Sequence, residues 1–290
     1  MTKLLRTVLT AASLLSCANA RGDVIADWNM TALSILKSEE ANPANALSAL
    51  ADVHVAMFEA MNFIEGRYVS HLTVKPPAPI AVSSDAAAAA AAHYVLVQLY
   101  PGKSALLDAA LARSLAQVPE GDRKAGGKIT GKFIGANVYA VRASDRASAP
   151  RAAARTKSAS DPLQWNLFAA RLIESRSMAP LESARLHALV SLAVSELYSA
   201  QDQGSFAEHT PALCVSCAAG VATSAVLESA QGPLRLRRRW GGSAERSLGE
   251  KFAAQALAYY RTAESDESLK EPQLVAPAAA EALEKHTASR

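Results

Sequence analysis

Nowhere in the 290 residues does an alternating polar and apolar run extend far enough to make a β-strand. The periodicities that remain are helical, so the expected class is all-α, a bundle of roughly eight or nine helices. Charge of one sign is nearly balanced: the formal net charge is +3, and most of the excess lies in two local clusters. Bulk charge therefore gives no argument for a nucleic-acid partner. After the first twenty residues no segment approaches the about 20 consecutive apolar residues of a bilayer span, so no transmembrane helix is expected in the mature chain. Cysteine is scarce, at three in the whole chain, and only Cys214 and Cys217 remain if the first twenty residues are removed. What the chain has in quantity is apolar side chains, 50% of the total, enough for one sizeable core.

Residues 1–20 place Lys3 and Arg6 ahead of the apolar run 8–15, followed by the small-residue pattern Ala18-Asn19-Ala20. That order describes a secretory signal peptide cleaved after Ala20 and implies a secreted or periplasmic protein. A rival reading is a lipoprotein signal. Leu14-Leu15-Ser16-Cys17 resembles a lipobox with lipid attached through Cys17, although Leu15 fits that pattern poorly. An export signal also disfavours a nucleic-acid partner.

Residues 45–72 form the spine of the mature chain. Ala46, Leu50, Val53, His54, Met57, Phe58, Met61 and Ile64 recur every three or four positions, which places them on one stripe of a long helix running into a short polar turn. A first helix is expected over 23–40, and Pro43 suits the first turn of the spine. Ser83, Ser84 and Asp85 are N-cap candidates for an alanine-rich helix that stops at Pro101-Gly102. Further helices are expected over 104–118, with Leu106, Leu107, Ala110, Leu111 and Leu115 inward, and over 123–144, 162–175, 180–203, 212–229 and 248–263. Residues 145–161 contain no large apolar side chain, and their composition predicts a flexible basic linker carrying Arg146, Arg151, Arg155 and Lys157. The helical-bundle domain is thus expected over 21–264, with a polar tail over 265–290.

Several residues carry chemistry in principle. Cys214 and Cys217 form a C-x-x-C that, in an oxidising compartment, reads first as a short-loop disulfide, with redox-active or free thiols as alternatives. The βα context of thioredoxin-like chemistry is missing, Ala218 stands where haem attachment needs histidine, and His209 lacks the partners of a zinc site. His54, inside the apolar stripe, reads as a buried imidazole bonded to a neighbouring helix, and His187 as a packing residue. Glu59 and Asn62 are expected to tie the spine to its partner helices. Arg235, Arg237, Arg238 and Arg239 beside Trp240 are the densest basic cluster, a candidate contact for anionic lipid headgroups or an acidic protein partner.

HVAMFEAMNFIEGRY (54–68), the proline-rich connector after it, SSDAAAAAAAHYVLVQLYP (83–101) and LDAALARSLAQVP (107–119) resemble the N-terminal half of bacterial vanadium-dependent haloperoxidases, as does VIADWN (24–29). These enzymes share a superfamily with type 2 phosphatidic acid phosphatases. SARLHALVSLAVSE (183–196) resembles the helix that carries the family's first anion-binding motif. The resemblance implies an all-α bundle of that type and an oxyanion site made of a Lys followed by Arg-Pro, a Pro-Ser-Gly-His, and a Ser-Arg followed by a His. Lysine, arginines and backbone donors neutralise the oxyanion there, one histidine is acid/base, and the last is the ligand.

The C-terminal half departs from this pattern at nearly every required position. YSAQDQGSFAEHTPAL (198–213) has no Lys, no Arg and no Arg-Pro. Val215-Ser216-Cys217-Ala218 keeps only the serine, Ser216, of the second motif, and FAAQALAYYR (252–261) keeps only Arg261 of the third. Tyr260 replaces that motif's serine, and Glu267 stands about where its histidine belongs, a carboxylate that repels phosphate or vanadate. The expectation is therefore an exported member of the superfamily that is catalytically inactive and acts by binding, with no metal and no cofactor. Vanadate is implied only if the family activity survives. One alternative is an active phosphatase or haloperoxidase with a non-standard anion site built from Arg261 and the 235–239 cluster. A second is a thiol redox protein using Cys214 and Cys217.

Overall fold

The computed structural model describes residues 23–39, 43–73, 82–148, 161, 163–203, 214–232 and 242–259. Among the described residues there are nine α-helices, a single 3-10 turn at Pro101–Lys103 and no β-strand. The helices are α1 (Val24–Ser38), α2 (Pro43–Glu65), α3 (Ser84–Leu99), α4 (Ser104–Ala116), α5 (Asp122–Ser148), α6 (Gln164–Glu174), α7 (Pro180–Asp202), α8 (Val215–Gln231) and α9 (Ser243–Tyr259). They pack into an all-α bundle, as the helical periodicities imply.

Local chemistry sets most of the ends. Asp23 caps α1 by accepting the Ile25 N–H at 2.9 Å, and Ser83 caps α3 by accepting the Ala86 N–H at 3.3 Å. Pro43 and Pro180 open α2 and α7, where a missing N–H costs nothing. Gly66, at φ 65°, ends α2 in the left-handed conformation that glycine adopts without steric penalty, and its N–H bonds to the Asn62 carbonyl at 2.7 Å. The spine helix thus stops at Glu65 and runs into the polar turn that the sequence implies.

Every residue of α2 from Ala49 to Asn62 is buried, not one stripe. The reason is its position: α3, α5 and α7 pack around it, and α1 closes a further side. A helix apolar on all faces is stable only when enclosed in this way. By length and composition α2 is apolar enough to cross a membrane, contrary to the sequence expectation, yet 83% of its most apolar window lies inside the bundle. It is a core helix here. The second half of the chain forms a group in which α8 lies against α7 and α9, with α6 alongside, and the contact of α2 with α7 joins it to the first.

The most extensive contact is between α3 and α5, and it is made by small residues on both sides. Gly127, Gly131 and Gly135 recur every four positions on α5 and face Ala86, Ala87 and Ala91 of α3. A Cβ at Gly131 would lie 2.1 Å from the Ala87 carbonyl oxygen. Such an approach lets the backbones touch and leaves no room for any side chain at the crossing.

Three further expectations need correction. Helix α5 continues through Ser148, so 145–148 belong to it rather than to a linker, and 149–160 lie outside the described residues. Leu106 is 51% exposed and not inward, because α4 buries only Leu107 and Ala110. Helix α9 begins at Ser243, five residues earlier than periodicity indicated, since its first turn is polar and carries no apolar signal.

Candidate functional site

Among the described residues, a cluster of buried polar side chains lies where α1, α2, α6 and α7 meet. His54 on α2 has Nδ1 2.6 Å from Ser191 Oγ of α7 and Nε2 3.1 Å from Asn29 Oδ1 of α1. Ser191 Oγ in turn donates to Asn166 Oδ1 of α6 at 2.8 Å. Four helices thus contribute one polar group each to a single chain, with His54, Ser191 and Asn29 all fully buried. The expected hydrogen bond from His54 to a neighbouring helix is present, and it goes to two helices rather than one.

One proton on the ring decides the directions in that chain. If His54 Nδ1–H donates to Ser191, Nε2 must accept, and Asn29 offers its NH2 edge. If Ser191 donates to Nδ1, His54 Nε2–H donates to the Asn29 oxygen, and Asn166 turns its NH2 edge to Ser191. Either arrangement keeps the imidazole neutral. Burial, reinforced by the neighbouring His187 ring, holds its pKa well below the ordinary histidine value. His187 stacks edge-on against His54, with ring centroids 5.1 Å apart. Its Nδ1–H donates to the Ser183 carbonyl at 2.9 Å, and its buried Nε2 has no partner among the described residues. Burial lowers its pKa as well, against the opposing pull of the Ser183 carbonyl and of Asp23.

Ser191, His54 and Asn29 have the connectivity of a nucleophile, base and orienting group. They lack the access such a group needs: all three side chains are buried, and the serine hydroxyl is already engaged with Asn166. The arrangement is a closed polar junction that fixes which faces of α1, α2, α6 and α7 meet.

Around the end of α2, Glu59 and Asn62 bond to the turn that follows the helix. Asn62 donates to the Tyr68 carbonyl and accepts the Tyr68 N–H, both at 2.9 Å. Glu59 accepts Ser70 Oγ–H at 2.6 Å and the His71 N–H at 3.2 Å. Together they clamp the turn after the helix. The clamp delivers Tyr68 to α7, where its hydroxyl donates to Glu182 and the Arg185 guanidinium lies over its ring, 4.7 Å from the centroid. Arg185 also pairs with Glu182 at 3.1 Å. Burial, together with the bond to Glu182, pushes the phenol pKa up to about 12, so it stays a donor.

At the start of α8, Cys214 and Cys217 are joined by a disulfide. Cys214 is exposed and is the N-cap residue, its sulfur accepting the Cys217 N–H at 3.2 Å. Glu245 of α9 accepts the Cys214 N–H at 3.3 Å and the Gly242 N–H at 2.7 Å. Its carboxyl pKa is lowered by backbone N–H groups, its own first, then those of Cys214 and Gly242. Ser216 accepts from Gln164 Nε2 at 3.0 Å and Trp165 Nε1 at 3.3 Å, which fastens α8 to α6. Ser216→Ala should therefore cost about 1–2 kcal/mol by stranding two donors, measured as a lower denaturant midpoint.

Ser216 and the cysteine pair thus lie together at the start of α8. Arg235, Arg237, Arg238, Arg239 and Arg261 lie outside the described residues, as do His209, Tyr260 and Glu267. No group of three or more metal-binding side chains occurs among the described residues. Asn29, Asn166 and Ser191 were not singled out from the sequence. The available signal was on α7, where Ser183, His187, Ser191 and Ser195 recur every four positions and are all buried, a polar stripe set among buried leucines, alanines and valines. No protein-family model, no curated protein and no solved structure matches the chain.

Proposed function

We propose that this chain is an exported helical-bundle protein related to the vanadium-dependent haloperoxidases and type 2 phosphatidic acid phosphatases, and that it works by binding rather than by their oxyanion chemistry. The observation that carries this reading is what now occupies the second motif position. Ser216, the one retained residue, is tied to α6 by Gln164 and Trp165. Ala218, in register with the motif's histidine, is fully buried. Its carbonyl lies so close to α9 that a Cβ on Gly249 would sit 2.4 Å from it. Packing this tight between α8 and α9 supports the loss of an anion cradle at that position. The last turn of α7, where the first motif's lysine belongs, carries no basic residue. A trigonal-bipyramidal vanadate or a transferring phosphoryl group needs several cations around it, and these positions supply none.

The binding surface this reading favours is the Arg235, Arg237, Arg238 and Arg239 cluster beside Trp240, a contact for anionic headgroups or an acidic protein surface. Purified full-length chain is expected to give no vanadate-dependent halide oxidation and no vanadate-inhibited hydrolysis of a phosphomonoester above the buffer rate. Sustained turnover in either assay would replace this reading with an active enzyme whose anion site is built differently.

A further inference from the structure

We propose that the Cys214–Cys217 disulfide is an exchange-active redox site whose substrates are dithiols and disulfides, with Cys214 the sulfur that forms the mixed disulfide. The inference is independent of the binding reading above and rests on three features of the start of α8.

The first is access: Cys214 is exposed, whereas Cys217 is half-buried. An incoming thiolate therefore reaches the Cys214 sulfur. The second is stabilisation of the thiolate that results. Cys214 is the N-cap of a helix of 17 residues, and its sulfur already accepts the Cys217 N–H at 3.2 Å. Once the bond opens, that contact becomes a charge-assisted hydrogen bond at the positive end of the helix, which lowers the thiol pKa. The Glu245 carboxylate, 3.3 Å from the Cys214 nitrogen, acts in the opposite direction and keeps the thiolate from being over-stabilised as a leaving group.

The third feature is the spacing. A bridge between residues three apart closes a minimal loop and constrains the unfolded chain less than a long-range bridge does. Helix α8 is held instead by its packing on α7, α9 and α6. The bond can open while the helix stays in place, which keeps both sulfurs within reach of each other.

The exchange balances without any other reagent. One thiolate of a partner dithiol attacks Cys214 Sγ, the Sγ–Sγ bond breaks, and the electron pair leaves on the Cys217 sulfur, which takes up a proton. The partner's second thiolate then attacks its own sulfur in the mixed disulfide, and Cys214 departs as a thiolate. Two electrons pass from the dithiol to the pair, and a partner disulfide runs the sequence backwards.

The test treats purified full-length chain with dithiothreitol in native buffer, then glutathione disulfide, and maps thiols by alkylation and peptide mass while helical content is followed by circular dichroism. Complete reduction and reoxidation with unchanged helical content are expected. In Cys217→Ser, glutathione should add to Cys214 at least about tenfold faster than it adds to Cys217 in Cys214→Ser, as exposure and thiolate stabilisation require. Reduction only in denaturant, or equal rates for the two variants, would overturn the proposal. The wild-type arm does not depend on either variant folding.

Discussion

Acidification from pH 7.5 to 5 is expected to remove about 2–4 kcal/mol of stability, with the loss setting in near pH 6.5. The cause is the buried pair His54 and His187, both held neutral because burial disfavours their charged forms. In the unfolded chain each titrates near its ordinary value, so below about pH 6.5 the unfolded state binds more protons than the folded state. Folding stability from these groups is therefore complete above that pH and declines as pH falls towards the lowered folded values. Each histidine contributes a slope approaching about 1.4 kcal/mol per pH unit while it remains neutral in the fold and charged outside it. His54 carries the deeper shift, and His187 adds its slope over a shorter interval because Asp23 and the Ser183 carbonyl partly offset its burial.

Denaturant unfolding at pH 7.5, 6 and 5 measures this directly. His187→Gln removes one titration and should make the pH dependence shallower. A flat profile in the wild type would mean that carboxylates neutralise the imidazolium ions in the folded state, which is not the electrostatic environment described above.

The second large effect is steric. Gly131→Ala should destabilise the protein by about 3 kcal/mol or more, because the new methyl meets backbone rather than a yielding side chain. Its Cβ would fall 2.1 Å from the Ala87 oxygen and 2.8 Å from the Ala87 carbonyl carbon. Relief requires α3 and α5 to move apart along their whole contact, since both are rigid at that point. For a domain of this size the corresponding fall in Tm is about 6–12 °C.

Neighbouring positions grade the prediction. Gly135→Ala, at 2.8 Å from the Ala91 oxygen, and Gly127→Ala, at 2.7 Å from Ser83 O and Ala86 Cβ, should each cost less than Gly131→Ala. Gly102→Ala meets nothing within 4 Å and should raise stability by about 0.5 kcal/mol through the unfolded state. Thermal melts of the four variants check the order. Equal tolerance of all four would mean that the two backbones do not approach as described.

The same two sites show where reading from sequence ends. An alanine run and a glycine-bearing segment both read as helices, but neither states that one will lie in the other's groove at backbone contact. His54 was legible as a buried imidazole because it interrupts an apolar stripe. Its partners were not, since Asn29 and Ser191 lie 25 and 137 positions away and nothing local distinguishes them from other polar residues. Asn62 and Glu59 were legible as anchors, but their contacts with Tyr68, Ser70 and His71 were not, because only the left-handed turn at Gly66 brings the chain back over them.

By itself the sequence determined the all-α class and the helix starts marked by Asp23, Pro43, Ser83 and Pro180, and it put a Cys214–Cys217 disulfide first among several readings. All of these depend on interactions within a few residues of one another. Only the tertiary structure decided that α2 is enclosed by its neighbours, that four helices meet at His54, and that Ser216 accepts hydrogen bonds from Gln164 and Trp165 of α6. Each of those depends on which surfaces come together across the whole chain, and backbone propensity and local periodicity carry no information about that.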